Sequence, residues 1–239
     1  MKEERIHSAL PRHIAIIPDG NRRWAKERGK APWEGHEVGA ENTEALIRKA
    51  HDLGVYCLSF WGSSLDNLEK RSLSERRALL GIYERYFKKL LSAKEIHENK
   101  VCVKIIGRWE EQLPSSLTKI LHECVAHTRK YRDHLLNFFL AYNGDDDMVR
   151  AMGKIAEKYS DAAHVTADVV KENLMTKDLP SVDFLIRTGG EPHLSSGFLM
   201  WDSANAQLYF SQKYFPDFGP EAFVDALDDY ARRTRRFGR

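Results

Sequence analysis

The 239-residue sequence lacks a long apolar run, has no marked excess of charge of either sign, and contains only three cysteines. No stretch approaches the roughly 20 consecutive apolar residues of a membrane-spanning helix, and the opening MKEERIHSALPRH has no apolar core of signal-peptide length. The formal charge of +2, from 37 Lys and Arg against 35 Asp and Glu, argues against a general nucleic-acid binder, whose affinity depends on neutralising many phosphates. We therefore expect a soluble protein that binds no nucleic acid, and any anion site in it must be local.

The cysteines Cys57, Cys102 and Cys124 are odd in number, far apart, and form no Cys-x-x-Cys pair. This spacing argues against a disulfide framework or a zinc site, and it favours reduced thiols in the core of a cytoplasmic protein. Repeats and low-complexity linkers are absent as well, and an apolar content of 42% over this length supplies a sizeable core. We expect a single domain that spans residues 1–239.

Apolar segments of strand length alternate with longer segments of helical periodicity. Strands that are apolar throughout, rather than alternating, are typical of a parallel sheet that is buried on both faces. The pattern therefore predicts an α/β fold with a mainly parallel central sheet covered by helices on both faces. The predicted strands are His13–Ile17, Val55–Trp61, VCVKIIG from Val101, LLNFFLAY from Leu135 and VDFLIRTGG from Val182.

Two local signals predict where helices end and begin. Gly54 follows a long helical segment and is a natural helix stop, because glycine adopts the left-handed conformation that ends many helices. Ser72 and Glu75 have the spacing of a capping box, which predicts the start of a long helix with an apolar face.

The first strand runs directly into the polar turn Pro18-Asp19-Gly20-Asn21, followed by Arg22 and Arg23. In parallel α/β sheets, ligands bind beyond the carboxyl ends of the strands. Gly20 would allow close approach of a ligand, Asn21 could cap the next helix, and Asp19 suits a metal bridge to phosphate. An Asp-Gly-Asn sequence is also an ordinary turn. Polar loops after three other predicted strands, GSSLDNLEKR, AYNGDDD and IRTGGEPHLSS, favour a phosphate site at a shared edge.

Several segments resemble, in order and spacing, the motifs of the cis-prenyltransferases, the undecaprenyl diphosphate synthase family. The segments are HIAIIPDGNRRWAKERGKAPWEGHEVGAEN, SSLDNLEKR together with Glu75, DFLIRTGGE and LYFSQKYFPDF, and the resemblance runs from His13 to the final RRFG. It implies a fold with an apolar tunnel and the transfer of an allylic prenyl diphosphate to isopentenyl diphosphate. A new Z double bond would form and diphosphate would be released. The resemblance also implies Mg²⁺ as cofactor, a homodimer, and at most peripheral membrane contact for a long product.

The resemblance also assigns roles to residues that match the family motifs. Asp19, Asn21 and Asn67 are the implied catalytic residues, and Asp19 and Gln207 are the implied metal ligands. The implied substrate-binding residues are Gly20, Arg22, Arg23, Trp24, His36, Ser64, Arg71, Glu75, Arg187, His193 and Ser195.

Most of these residues also have an ordinary structural interpretation. Glu75 could be only the capping-box partner of Ser72, although one carboxylate can serve both roles. Ser64 could cap a turn, and a histidine at a helix start, such as His36, is usually structural. Trp24 lies inside the motif, but a tryptophan in such a place is more often a packing residue than a ligand.

The chain also departs from the family pattern at several positions. Pro32 and His193 stand where arginines are expected in the phosphate sites, so two permanent positive charges are absent. Gln207 stands where a glutamate is expected, and an amide oxygen is a poorer ligand for Mg²⁺ than a carboxylate. Leu68 replaces an aromatic residue, and Lys70 lengthens the substrate loop by one residue.

Three functions are therefore considered. The first is an ordinary chain-elongating cis-prenyltransferase. The second is a variant prenyl-cation enzyme that makes a short, branched or cyclised product, and the third is a non-catalytic partner subunit. The intact DGNRRW motif argues against the third. In the active dimer, the tail residues Arg236-Phe237-Gly238 are expected to reach a phosphate site, with a frayed terminus as the alternative.

Overall fold

The structure of the chain is a computed structural model that describes residues 2–233. Within these residues the helices and strands alternate, as the sequence predicts. The helices are α1 (Lys2–Ser8), α2 (Asn21–Glu27), α3 (Pro32–Asp52), α4 (Leu65–Lys70), α5 (Leu73–Ser92), α6 (Lys94–Glu98), α7 (Trp109–Gln112), α8 (Ser115–Thr128), α9 (Gly144–Lys158), α10 (Ala167–Asn173) and α11 (Pro220–Arg232). The strands are β1 (His13–Ile17), β2 (Cys57–Trp61), β3 (Val101–Ile106), β4 (His134–Phe139), β5 (Phe184–Arg187) and β6 (Gln207–Phe210).

The six strands form one sheet in the order β3-β4-β2-β1-β5-β6, and every neighbouring pair is parallel. The prediction of a mainly parallel central sheet is therefore confirmed. β6 was not predicted as a strand. Its sequence, QLYF, is only four residues long and at least partly exposed, whereas β3 at the opposite edge of the sheet has six residues and is mostly buried.

The inner strands are largely apolar because both of their faces are buried, and polar residues within them, such as His13, Ser59 and Asn137, are buried as well. In β1, Ile14 and Ile16 point into one core, and Ala15 and Ile17 point into the other. The first core packs against the long helices through residues such as Leu46, Phe87, Leu121 and Phe223. The second core is closed largely by residues from the connections between elements, such as Tyr142, Leu179, Phe198 and Leu199.

The local signals in the sequence are mostly confirmed. α3 ends at Asp52, and Gly54 follows with a φ of 84°, the left-handed conformation expected of a helix stop. Ser72 caps α5, since its hydroxyl accepts a hydrogen bond from the Glu75 backbone N–H at 3.3 Å. The three cysteines are free and buried.

The carboxyl ends of the strands lie along one edge of the sheet. Ile17 at the end of β1 pairs with Arg187 at the end of β5, while Trp61 at the end of β2 pairs with Phe139 at the end of β4. The polar loops that follow these strands are therefore neighbours. Across residues 2–233, no helix has both the length and the apolar character that crossing a bilayer requires. The tail Arg236-Phe237-Gly238 lies outside the described residues.

Candidate active site

The turn after β1 depends on a glycine. Gly20 is the N-cap of α2 with a φ of 99°, and a Cβ there would lie 2.5 Å from the Cδ1 atom of Tyr214. Both the positive φ and the close tyrosine exclude larger side chains. The Gly20 N–H donates to Asp19 Oδ1 at 2.6 Å, and the Thr188 hydroxyl donates to the Asp19 carbonyl at 2.8 Å. The first bond orients the Asp19 carboxylate at the edge of the sheet, and the second holds the backbone of the turn.

Asp19 pairs with two guanidinium groups. Its Oδ2 accepts a hydrogen bond from Arg187 Nη2 at 2.8 Å, and its Oδ1 lies 3.4 Å from Arg23 Nη2. The Arg187 side chain is only 5% exposed, whereas the Asp19 side chain is 33% exposed. Arg187 Nη1 also donates to the carbonyl oxygen of His193 at 2.5 Å and lies 3.1 Å from His193 Nδ1, so the His193 side chain lies beside this pair. The buried Arg187 guanidinium thus links the end of β5 to the turn after β1.

Glu191 is a residue of this site that the sequence reasoning missed. Its carboxylate lies 3.2 Å from Arg23 Nη1, so Arg23 bridges Asp19 and Glu191. The segment Gly189-Gly190-Glu191 begins directly after Thr188, the residue that follows the end of β5, and a carboxylate after a pair of glycines near a strand end is the signal available in the sequence.

Asn21 does not cap α2, so that prediction is wrong. It is the first residue of the helix, and its side-chain amide donates backward to the Pro18 carbonyl at 2.8 Å. Its Oδ1 atom is buried and has no hydrogen-bond partner. Gly39 of α3 lies so close that a Cβ there would overlap this oxygen. The two helices therefore hold the Asn21 amide in a fixed position at the cavity wall.

A second charged cluster, formed by Arg22, His36, Arg71 and Glu75, lies between α2, α3 and the start of α5. Glu75 Oε1 lies 3.4 Å from Arg71 Nε and 3.7 Å from His36 Nε2, and Glu75 Oε2 lies 3.9 Å from Arg22 Nη1. The carboxylate of Glu75 is thus turned toward the cluster while its backbone N–H serves the Ser72 cap. Only the Ser72 half of the predicted capping box is formed, because the Glu75 carboxylate faces the cluster instead of the Ser72 backbone.

His36 is neutral in this cluster. Burial of its ring, followed by the positive charges of Arg71 and Arg22, lowers the pKa of His36 from 6.5 to about 3, despite the nearby Glu75 carboxylate. A neutral imidazole can donate or accept a hydrogen bond without adding charge. Its Nε2 atom is buried and has no hydrogen-bond partner.

The loop after β2 is ordered by Ser64. The Ser64 hydroxyl caps α4 by accepting a hydrogen bond from the Asn67 N–H at 3.0 Å, as the structural interpretation of this serine expects. Asn67 itself lines the cavity, as does Ser195 from the loop after β5. Ser64 therefore positions Asn67, with its own hydroxyl already engaged.

Two predicted site residues lie elsewhere. The Trp24 indole donates to Asp217 Oδ1 at 2.8 Å and packs under the Arg28 guanidinium, which corrects its assignment to the substrate-binding set. Gln207 begins β6 and pairs with Phe184, at the amino end of the strands. It lies about 10 Å along the strand from Phe210, the residue that pairs with Arg187. Within this chain Gln207 is therefore not brought to the Asp19 site.

A cavity of about 550 Å³ opens from these polar groups into the space between the sheet and helices α3 and α5. One part of its wall carries charged and amide side chains, and the longer part is apolar. The polar part is lined by Asp19, Asn21, Arg22, Arg23, His36, Asn67 and Arg71, and the apolar part by residues that include Ile47, Phe60, Leu79, Ile82, Phe87 and Phe138.

The polar end has unused hydrogen-bonding capacity. Besides Asn21 Oδ1 and His36 Nε2, the buried atoms Arg71 Nη1, Arg187 Nε and Glu75 Oε1 have no hydrogen-bond partner. Buried polar groups are normally satisfied, so this concentration is typical of a site that accepts a polar ligand. Among residues 2–233, no group of three or more His, Cys, Asp or Glu side chains is arranged to hold a metal ion.

Comparison with known proteins gives a consistent result. The family model described as "Putative undecaprenyl diphosphate synthase" matches residues 17–238. A tritrans,polycis-undecaprenyl-diphosphate synthase (geranylgeranyl-diphosphate specific) of Pyrococcus abyssi is 38% identical over 234 residues, covering 96% of this chain and 88% of the relative. An isoprenyl transferase of Aquifex pyrophilus is 35% identical over 230 residues, covering 96% of each chain.

Among solved structures, the crystal structure of lavandulyl diphosphate synthase from Lavandula x intermedia, in complex with dimethylallyl diphosphate, matches with a TM-score of 0.91. The two sequences are 33% identical, and the match covers 97% of this chain and all of the lavandulyl diphosphate synthase chain. The sheet, the strand-end site and the sequence motifs agree with these matches. The chain belongs to the undecaprenyl diphosphate synthase family, the cis-prenyltransferases, and is a prenyl-transferring enzyme.

Proposed function

We propose that the protein transfers the prenyl group of an allylic prenyl diphosphate to isopentenyl diphosphate, extends the chain with a Z double bond, and releases diphosphate. The observation that carries this proposal is a cavity of about 550 Å³ with a cationic, amide-lined end and an apolar wall. Such a cavity matches an amphiphile with a charged head and a hydrocarbon tail. Ligand sites in proteins are commonly of this size and are largely apolar, with a few convergent polar groups.

The diphosphate groups would bind to the guanidinium groups at the polar end. Arg71 and Arg187 are nearly buried, and each has one buried nitrogen without a partner. A charged donor in such a place gains strongly from binding a phosphate oxygen. Arg23 is more exposed and is shared between Asp19 and Glu191, so it can move toward a ligand at lower cost.

A metal ion fits beside Asp19. The Asp19 carboxylate is one-third exposed. Each of its two oxygens accepts one hydrogen bond and has a further lone pair available for a metal ion. Mg²⁺ is commonly bound by one or two carboxylates together with substrate phosphates, so one aspartate is sufficient. Bound there, Mg²⁺ would neutralise charge on the leaving diphosphate. Glu191 supplies a second carboxylate on the far side of Arg23.

The chain's own groups suit the chemistry of the transfer. When the allylic C–O bond breaks, its electron pair goes to the diphosphate and positive charge remains on carbon. Arg23 and Arg187 can share the growing negative charge, while Asn21 and Asn67 can orient the substrates at the cavity wall. The apolar residues beyond them keep water from the carbocation until the double bond of isopentenyl diphosphate attacks it. The attack leaves positive charge on the isopentenyl unit, and a proton then passes from the neighbouring carbon to the released diphosphate, which forms the new double bond.

The proposal is tested by incubating the protein with isopentenyl diphosphate and each allylic diphosphate from dimethylallyl to geranylgeranyl, with Mg²⁺ or with a chelator. We expect diphosphate release that requires both substrates and Mg²⁺, and longer prenyl diphosphates in the mass spectrum. Asp19→Asn should abolish this release. Asp217→Asn is the matched control, because Asp217 pairs with Arg28 outside the cavity.

Other outcomes would contradict the proposal. Diphosphate release without consumption of isopentenyl diphosphate would favour the branching or cyclising alternative, and the absence of any reaction would favour a partner subunit. The family model and the curated relatives favour polyprenyl synthesis over both.

We further propose that the protein is a homodimer. Val149 and Met152 on α9 are 68% and 58% exposed, and Met200 is 45% exposed. The loop that carries Met200 packs against the start of α9 through Gly144 and Gly197, so these apolar side chains lie in one region. Sedimentation of the wild type and of Val149→Asp tests this, and we expect the variant to be monomeric.

We also infer a cytoplasmic location and a single functional domain. Three unpaired, buried thiols are typical of a reducing compartment, and all six strands belong to one sheet. Fractionation of cells that express the protein tests the first inference, and a single cooperative unfolding transition tests the second.

A further inference from the structure

The end of the cavity that lies away from Asp19 is closed by charged residues. α3 runs along the cavity, with His36 at the polar end and Arg48 at the opposite end. Twelve residues of helix separate them, which corresponds to about 18 Å. Ala40, Thr43 and Ile47 line the cavity between these two points.

Four side chains from three helices form the closure. Arg48 Nη1 donates to Glu95 Oε1 at 2.9 Å, and Arg48 Nη2 donates to Glu44 Oε1 at 3.0 Å. Lys89 Nζ donates to the other oxygen of Glu44 at 2.6 Å. α3, α5 and α6 are thus joined across the end of the cavity, and all four residues belong to its wall. We call Glu44, Arg48, Lys89 and Glu95 the distal closure.

The distal closure is charged and reached by water. Arg48, Glu95 and Lys89 are 54%, 53% and 60% exposed. The hydrogen bond from Lys89 lowers the pKa of Glu44, and the hydrogen bond from Arg48 lowers the pKa of Glu95, so both carboxylates are ionised at neutral pH. The wall just before it is apolar and includes Ile47, Phe87, Leu90, Ile96 and Phe138. The environment along the cavity therefore changes abruptly at Arg48.

We propose that the distal closure determines the length of the prenyl chain that the cavity accepts, and hence the length of the product. The inference rests on the proposed prenyl transfer and adds the residues that end elongation.

The physical reason is that a prenyl chain gains no further hydrophobic burial once it passes this point. Each methylene that is buried against an apolar wall strengthens binding about four-fold. A chain that passes the closure gains no such burial, because it meets water and must dehydrate or part the ion pairs. An extended isoprene unit contributes about 5 Å, from four C–C bonds of about 1.5 Å in a zigzag. The distance of about 18 Å from His36 to Arg48 therefore holds three to four extended units.

Two measurements test the proposal. The first is the affinity for a series of all-trans prenyl diphosphates, from geranyl to hexaprenyl, by calorimetric titration without isopentenyl diphosphate. The second is the mass distribution of products made from isopentenyl diphosphate. We expect wild-type affinity to rise with length and then to level off once the chain reaches the closure.

Arg48→Met removes the central cation but keeps an unbranched side chain, and Glu95→Gln removes one charge at nearly constant shape. In both variants we expect affinity to keep rising for at least one further isoprene unit, and the products to lengthen by at least one unit. Arg85→Met is the matched control. Arg85 pairs with Glu37 between the same two helices, α5 and α3, but neither residue lines the cavity. This variant should behave as the wild type.

The outcomes separate this inference from the proposed function. If both closure variants fold, as judged by circular dichroism, and show wild-type affinity series and product masses, the inference is wrong and prenyl transfer stands. If the wild type forms no product but the levelling-off still moves in Arg48→Met, the closure ends the cavity as proposed and the reaction assignment is wrong. An equal shift in Arg85→Met would also overturn the inference, since it would show a general loosening of the helices.

Discussion

Replacement of Asp19 by alanine should affect both turnover and stability, because Asp19 is the counterion of a buried arginine. Arg187 is 5% exposed and donates to Asp19 at 2.8 Å, so the substitution leaves a buried guanidinium without its carboxylate. Removing one partner of a fully buried pair costs about 3–5 kcal/mol. Asp19 is one-third exposed and water can partly replace it, so we expect a loss of about 1–3 kcal/mol in the free energy of unfolding. A loop carboxylate judged from the sequence alone would be expected to contribute little.

A double-mutant cycle with Asp19→Ala and Arg187→Met tests this reasoning. Urea unfolding at neutral pH gives the stabilities, and steady-state release of diphosphate gives the rates. We expect the double variant to be more stable than the sum of the single losses predicts, with a coupling energy of about 1–2 kcal/mol. Turnover of Asp19→Ala should fall by a factor of about 10²–10³ or more. Additive losses of stability, or an Asp19→Ala protein that keeps most of its activity, would refute the proposed role of this pair.

Three further predictions follow from the geometry. The pKa of His36 is lowered from 6.5 to about 3, so between these values the unfolded chain binds a proton that the folded chain does not. The free energy of unfolding should therefore fall as the pH falls from 6.5 toward 3. His36→Asn lacks this proton, so its stability relative to the wild type should increase over the same pH range, as urea unfolding at several pH values can show. Gly39→Ala should weaken binding of allylic diphosphate and cost about 1–3 kcal/mol, because the new methyl group overlaps Asn21 Oδ1. Gly153→Ala, with no atom near the new Cβ, should be neutral or stabilising by up to about 1 kcal/mol in the same unfolding assay. Gln207→Glu should leave the Mg²⁺ concentration for half-maximal rate unchanged, since this residue lies at the amino end of the strands, and a lowered midpoint in a metal titration would contradict this placement.

Much of the fold follows from local pattern. The inner strands are largely apolar because both faces of the sheet are covered, and this pattern is visible in the sequence without any knowledge of the partners. Gly54 ends α3 for a local steric reason. The strand β6 was missed because its four residues, Gln207–Phe210, are all at least partly exposed and begin with a polar side chain, so the segment carries no continuous apolar signal.

The location of the site could also be predicted, since the carboxyl ends of parallel strands meet at one edge and the turn after β1 carries Asp19 and Gly20. The contacts within the site could not. Asn21 turns back to Pro18 rather than capping its helix, and the Trp24 indole turns to Asp217. In each case the side chain has several local partners, and packing against a distant helix or turn selects one.

The sequence by itself determined five of the six strands described, the helix boundaries at Gly54 and Ser72, the family, and the edge of the sheet at which the polar loops meet. Only the tertiary structure decided that Glu75 faces His36 and that Gln207 lies away from Asp19. It alone brought Arg48 and Glu95, which are far apart in the chain, to one end of the cavity. The physical reason is that hydrogen bonding and apolar periodicity act over a few residues, whereas ion pairs and cavity walls depend on how whole helices pack against the sheet.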